Sequence, residues 1–274
     1  MTITAKVIKD SFAELCPRLT TLQLRYPRFI HAEFMTHRNF SRNSSSSRAI
    51  PVEKLIDDVM TDPAMPIHWG ENQKGMQARG ELTSAEYEWL VARDDAVRNA
   101  FTMHNMGYHK QLVNRIIEPF SHINVLVTGH EETYEQFFEL RDHEDAQPEI
   151  RELARQMKFA LCDSNPDFLE QGEWHIPYID DDDPAWIERD ETGKDFIDIR
   201  KVSAARCASV SYKTVDGNVM GVTRALRVFN KLAGSTPKHL SPFEHIATPC
   251  PHDIRGICKN FSCWEQYRSE VEYY

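Results

Sequence analysis

A mixed α and β fold is what this sequence predicts, on three observations. Alternating apolar positions at Leu22, Leu24 and Tyr26, and again at Ile123, Val125 and Val127, mark two strands. Longer segments repeat apolar side chains at the spacing of a helix. The chain has 274 residues, 41% hydrophobic and 27% charged, which is ordinary for a globular protein and long enough for one large domain or two small ones.

The first strand covers residues 19–26 and stops at Pro27. Phe29 to Met35 reads as a short helix that delivers His37 and Arg38 into a serine-rich loop. Pro51 to Met60 is a helix with Pro in its first turn. Residues 62–80, rich in Pro, Gly, Asn and Gln, form an irregular loop. Thr83 or Ser84 caps a long helix whose apolar residues include Tyr87, Leu90, Val91, Val97, Phe101 and Met106. A second helix runs from Tyr108 to Ile117 and carries Arg115. The segment His122 to Gly129 is the second strand. Thr133 to Arg141 is a helix in which Phe137 and Phe138 belong to the core, and another runs from Gln147 to about Cys162. Residues 163–200 read as an irregular connector whose Asp180 to Asp183 run is a solvated turn. Ala204 to Tyr212 follows, then Asp216-Gly217 reads as a turn and Thr223 to Leu232 as a helix ended by Gly234. A polar and aromatic cluster, His239 to Ile246, leads into a short strand. We read residues 1–274 as one domain with insertions near 62–80 and 163–200.

Composition narrows the function. A net charge of -10 argues against a nucleic-acid surface, which rests on Lys and Arg neutralising phosphates. No apolar run is long enough to cross a bilayer, and the first residues lack the apolar core of a secretory signal. Six scattered cysteines resemble the reduced thiols of a cytoplasmic protein. Cys250, Cys258 and Cys263, near His252, lack the paired spacing of structural zinc, so no metal is expected. The stretch His37 to Arg48 holds Ser44, Ser45, Ser46 and Ser47 between Arg38, Arg42 and Arg48. It reads either as a solvated polar loop or as a cradle for a phosphate or another oxyanion, with hydroxyls, backbone N–H groups and forked guanidinium groups as donors.

Four segments then share a pattern. His37-Arg38, seven residues and Ser46 resemble the signature of the flavin-dependent thymidylate synthases, with Thr36 where that signature has its first Arg. Arg115-Ile116-Ile117-Glu118-Pro119 resembles the family's Arg-x-x-x-Pro segment. Phe137 to Arg141 with Ala146 to Ile150 resembles its Phe-x-x-Leu-Arg and Ala-Gln-x-Glu-Ile block. His239-x-Ser241-Pro242-Phe243-Glu244-His245 resembles its His-x-Thr-Pro-Phe-Glu-His segment. In the family this last segment precedes the His-Arg signature, whereas here it lies near the C-terminus, behind an Ala-Arg-Cys-Ala-Ser-Val-Ser-Tyr stretch that also looks like the family's N-terminal strand. The resemblance therefore implies a divergent, circularly permuted member, with its termini originally close in space.

The fold so implied is α+β, a mainly antiparallel sheet flanked by helices. The implied activity is transfer of a one-carbon unit from methylenetetrahydrofolate to C5 of a pyrimidine nucleotide, dUMP to dTMP, by a homotetramer that uses FAD and NADPH. C5 hydroxymethylation, another acceptor such as UMP or dCMP, and a non-catalytic nucleotide-binding relative are the alternatives. By the same resemblance Glu33, Ser44, Ser45, Ser46, Ser47, Arg48, Arg115 and Arg141 bind the nucleotide. Thr36, His37, Arg38, Asn43, His130, Gln136, His239, Ser241 and Glu244 meet flavin or folate, and Arg141, Ser46 and His37 carry the chemistry. For His245 and Glu244 a satisfied polar pair beside a strand is the competing reading. Cys250 superficially suits the thiolate of the unrelated thymidylate synthases, but Pro251 interrupts it. Three departures stand out. Glu33 replaces a usual Gln, and His130 and Glu132 replace an Asn and an Arg that contact flavin, the latter reversing a charge beside an anionic cofactor.

Overall fold

The computed structural model describes residues 3–180, 183, 198–211, 220–252 and 258–272. Its centre is a five-stranded sheet built from β1 (Thr4–Ala13), β2 (Cys16–Pro27), β3 (Ser41–Ser44), β4 (His122–His130) and β5 (Asp167–Phe168), in the order β3-β4-β2-β1-β5. Every pairing is antiparallel except the two-residue contact of β1 with β5. The expected α+β class with a mainly antiparallel sheet is therefore present.

Register explains the two alternating patterns. Leu22 pairs with Val127, Leu24 with Val125 and Tyr26 with Ile123, so all six side chains point to one face. There they meet Phe137 of α5 (Glu131–Arg141) and Ile150, Leu153 and Met157 of α6 (Pro148–Cys162). Phe137 is buried, as core, and Phe138 packs against the same cluster. The intervening residues face the other way. Leu126 packs against Cys207 and Val210, beside α7 (Ile199–Ala208), and Thr21 lies opposite Thr128. Because both faces are covered, the middle of β4 is buried without a break.

The remaining helices are α1 (His31–Phe34), α2 (Val52–Thr61), α3 (Glu86–Asn105), α4 (Lys110–Ile117), α8 (Val222–Gly234) and α9 (Tyr267–Glu272). A second, two-stranded sheet pairs β6 (Ala247–Pro249) with β7 (Trp264–Gln266). Ser84 accepts the backbone N–H of Glu86 at the start of α3, although Ala85 occupies the cap position itself. Of the apolar residues expected to define this helix, Tyr87, Val91, Phe101 and Met106 are exposed.

Four expectations need correction. The Ala204 to Ser211 stretch is not a strand but the end of α7 and a following turn. Asp198 caps α7 by accepting the Arg200 N–H, and the run of small side chains suits a buried helix. The serine stretch is not all loop, because Ser41–Ser44 form the edge strand β3 against β4. The connector is less irregular than expected. It contains β5, and His175 forms a bridge with Ala247. Asp183 is not solvated: it is buried in a forked pair with Arg206, at 2.5 and 2.7 Å. The strand β1 was not foreseen, since Lys6, Lys9 and Asp10 blur its alternation. Tyr212, Asp216, Gly217 and the rest of the acidic run, Asp181, Asp182 and Pro184, lie outside the described residues.

Candidate active site

The sheet edge at β3 organises the candidate residues. Alternation sends Asn43 to the α7 face and Arg42 and Ser44 to the other, so consecutive residues serve opposite sides of one edge strand.

On the α5 side, α1 and the turn after it present Thr36, His37 and Arg38. These residues and Asn39, Gln136 and Leu140 line a cleft of about 250 Å³ with Phe137 and Thr133 at its base. The Arg141 Nε–H donates to His37 Nε2 at 2.8 Å, joining two segments that lie far apart in the chain. The imidazole packs edge-on against Phe137, ring centroids 4.7 Å apart. Burial, and then the neighbouring Arg141 and Arg42 charges, lower the His37 pKa to about 4. His37 is thus a neutral acceptor near pH 7, and the Nη groups of Arg141 have no partner among the described residues. Gln136 accepts from Asn39 at 3.3 Å. Arg42, one of the cations that the sequence places around the serines, donates to the carbonyls of Met35 and His37 at 2.7 and 3.1 Å. It thereby ties the end of α1 to the edge strand and brings the site a further cation.

On the α7 side, Ser241 approaches Asn43 Oδ1 at 3.5 Å, and Asn43 Nδ2 donates to the Cys207 carbonyl at 2.7 Å. Two residues expected at the flavin are therefore neighbours despite their sequence separation. Glu244 forms an ion pair with Arg268, and its carboxylate also acts on Arg42. His239 is exposed, with its backbone N–H on the Leu232 carbonyl.

The serines divide by position. Ser45 and Ser47 are buried, while Ser44 and Ser46 are half-buried and Arg48 is exposed. Ser45 Oγ accepts from the Asn124 N–H at 3.1 Å, and Ser47 Oγ donates to Glu118. Those two hydroxyls are committed within the chain, whereas Ser46 is half-buried and Arg48 exposed at the surface. Arg28 reaches the Ser45 carbonyl at 3.3 Å, and Arg115 stands 3.5 Å from Glu118. Arg115 and Arg141 do not share a partner here. Arg28 escaped the sequence reading because nothing in its spacing marks it, and Glu118 stood in the Arg115 to Pro119 segment without a role of its own.

The departures also have a structural counterpart. Glu33 Oε2, His130 Nδ1 and Thr133 Oγ1 are buried with no hydrogen-bond partner. Burial lowers the His130 pKa, whereas Glu132 is exposed at the start of α5. The pair of His245 and Glu244 does not form. His245 is fully buried and bonds to Thr128 at 2.8 Å, while Glu244 turns to Arg268.

The model of the family described as thymidylate synthase complementing protein matches residues 17–166, more than half of the chain. The chain belongs to that family. It is the flavin-dependent thymidylate synthase family that the four segments resemble, and the match takes in three of them. The fourth, 239–245, lies outside the matched residues and reaches β3 through Ser241 and Asn43. Among solved structures, the UMP/dUMP methylase PolB from Streptomyces cacaoi bound with 5-Br dUMP is similar to the chain at a TM-score of 0.47 and 15% identity, covering 58% of this chain and 90% of that one. The same protein bound with 5-Br UMP gives 0.46 and 16%, with coverage of 58% and 88%. No curated protein matches the chain.

Proposed function

We propose that the protein transfers a one-carbon unit from methylenetetrahydrofolate to C5 of a pyrimidine nucleotide, converting dUMP to dTMP, with FAD as cofactor and NADPH as reductant. Family membership supports nucleotide C5 methylation. The observation that carries the site assignment is the contact of Arg141 with His37. Neutral His37 fixes the guanidinium through Nε, which leaves the forked Nη pair to hold a carbonyl edge of the base. Ser44, Ser46 and Arg48 suit the phosphate, and Arg115 adds charge beside them. Ser46 acts as a hydrogen-bond donor rather than a nucleophile, since no base accompanies it.

The residues fit flavin in part. A cleft of about 250 Å³ holds one ring system and not a whole dinucleotide. Thr36, Arg38 and Gln136 would hold the cofactor on the α5 side of the edge strand, with Asn43, Ser241, Glu244 and His239 on the other, while His130 lies outside the residues that line the cleft. When bound, reduced flavin supplies the hydride. The remaining space would come from neighbouring subunits of a homotetramer, a reading that the exposed apolar residues Tyr87, Phe101, Met106 and Leu112 support. Sedimentation velocity checks it, and a monomer in the active preparation contradicts it.

One observation favours a second acceptor. Glu33 offers a buried carboxylate oxygen with no donor, and an ionised carboxylate accepts hydrogen bonds without giving any. A base with an exocyclic amino group, as in dCMP, would satisfy it. Incubation with FAD, NADPH, methylenetetrahydrofolate and each pyrimidine nucleotide in turn, followed by mass spectrometry, decides the matter. A methyl gain on dUMP is the expected result, and a gain on dCMP or a hydroxymethyl gain moves the assignment to those reactions. No product, together with colourless protein that takes up no FAD, identifies a non-catalytic nucleotide-binding relative.

The permuted order belongs to the same reading. It requires residues 19–26 to lie near 243–248, and the hydrogen bonds from Thr21 through Thr128 to His245 support that neighbourhood. A variant with joined termini, reopened within 184–197, is expected to fold and to retain nucleotide binding; failure to fold contradicts the permutation.

A further inference from the structure

Two side-chain amides from the segment around β7 reach the edge strand β3 without lining the cleft beside it. Phe261 and Trp264, both fully buried, anchor that segment against Leu19 of β2, and the Trp264 indole N–H donates to the Pro17 carbonyl at 2.8 Å. The chain turns sharply there. Lys259 and Cys263 both take left-handed backbone, φ 54° and 61°, a conformation that persists only where the surroundings impose it. Asn260 stands in that turn. Its Nδ2 donates to the Asn39 carbonyl at 3.1 Å and to Ser41 Oγ at 3.2 Å. Gln266, fully buried in β7, donates through Nε2 to Asn260 Oδ1 at 2.8 Å and to the Glu244 carbonyl at 3.2 Å. Two residues further on, Arg268 pairs with the Glu244 carboxylate. One short stretch, 260–268, therefore fastens both the backbone and the side chain of Glu244 and, through Asn260, the turn that enters β3.

That connection bridges the two sides of β3. Asn39 lines the His37 cleft and donates to Gln136 at 3.3 Å, whereas Ser241 approaches Asn43 on the α7 side. A buried amide network fixes one arrangement of the segments it joins, because a lost member strands its partners in a low dielectric. Gln266 Oε1 is buried with no partner, so the polar contribution of this side chain lies in its N–H donors. Neither amide falls within residues 17–166, which the family model matches. We propose that Asn260 and Gln266 are positioning residues, holding the 39–41 turn and Glu244 in the one relative placement that the flavin site needs. The flavin assignment rests on the function proposed above, and the brace rests on these contacts.

Asn260 is exposed, so Asn260→Ala should leave the urea midpoint of the full chain nearly unchanged. Asn260→Asp keeps an acceptor for Gln266 but removes the N–H donor, and should act like the alanine variant. In both, FAD affinity read by fluorescence quenching should fall about tenfold, while calorimetric dUMP affinity stays within about threefold of the parent. Amide hydrogen exchange without any ligand should speed up about tenfold over 36–43 and 239–246 and stay unchanged over 123–128. Gln266→Met, of similar volume, removes the buried donor and should give the same pattern with a lower urea midpoint. Where the parent chain binds FAD, parent-like FAD affinity in either Asn260 variant overturns the proposal. So does FAD and dUMP affinity lost in equal measure together with the urea midpoint, which would make the amides structural only. A parent chain that takes up no FAD refutes the cofactor reading instead. Exchange then decides the brace alone: acceleration confined to the two segments upholds it, and unchanged exchange overturns it.

Discussion

His37 and His245 both stand in motif segments, and both are held neutral, yet they occupy opposite kinds of environment. His245 is wholly inside. A continuous chain of hydrogen bonds joins its Nδ1 to Thr128 at 2.8 Å, Thr128 to Thr21 at 2.7 Å, Thr21 to His175 Nε2 at 2.8 Å, and His175 Nδ1 to Ser11 at 3.0 Å. Burial pushes both of its imidazoles down to about 3. His37 reaches about 4 for a mixed reason, burial and then the adjacent Arg141, and it lines an open cleft. The buried chain fastens the segment after β5 and segment 241–245 to the central strands, so it belongs to the stability of the fold. The His37–Arg141 pair holds a cation ready for a ligand. A depressed histidine pKa therefore does not by itself mark a functional histidine; what the imidazole borders does.

Acid offers the largest break between the two regions. An unfolded histidine takes up a proton near pH 6.5, whereas His175 and His245 in the folded chain do not until about pH 3. The unfolded state then binds more protons, so stability is complete above pH 6.5 and is lost as pH falls toward 3. Each residue contributes about 1.4 kcal/mol per pH unit, or roughly 5 kcal/mol for the two between pH 6 and pH 4. Urea unfolding at pH 7, 6, 5 and 4 measures this, and a flat profile would remove the buried chain from the account.

Next in size is Arg141→Ala. Nucleotide affinity should fall by about tenfold or more, because a forked charge-assisted contact is lost, with the urea midpoint shifted little since Arg141 is only half-buried. Calorimetry with dUMP checks the first part. Affinity unchanged from the parent chain contradicts the role given to Arg141.

Ser241→Ala should have the smallest effect. Its 3.5 Å approach to Asn43 is long and exposed, so stability should stay within about 0.5 kcal/mol. If Ser241 meets flavin, FAD affinity measured by fluorescence quenching falls measurably all the same. A large loss of stability with no change in FAD affinity would make it a structural residue.

Much of the fold was legible because it depends on local periodicity. Leu22, Leu24 and Tyr26 alternate as a strand must, and α2, α4, α5, α6 and α8 lie close to where apolar spacing put them. The stretch from Ala204 was misread because a helix buried on nearly all sides shows no amphipathic stripe. Asp183 looked solvated because its partner Arg206 lies more than twenty residues further along the chain. The serine run looked uniform, yet a short strand and the turn after it bury Ser45 and Ser47 and leave Ser44 and Ser46 half-exposed.

By itself the sequence determined the strand and helix periods, and the residue types that mark His37, Arg38, Ser46, Arg115 and Arg141 as members of one family pattern. Both are local properties, set by backbone geometry and by the chemistry of single side chains. Only the tertiary structure decided which of them meet. It placed Arg141 on His37 and Ser241 beside Asn43, spent Ser45 and Ser47 inside the chain, and buried His245 under the sheet. Those outcomes follow from strand register and from the packing of segments distant in sequence, and no single segment encodes them.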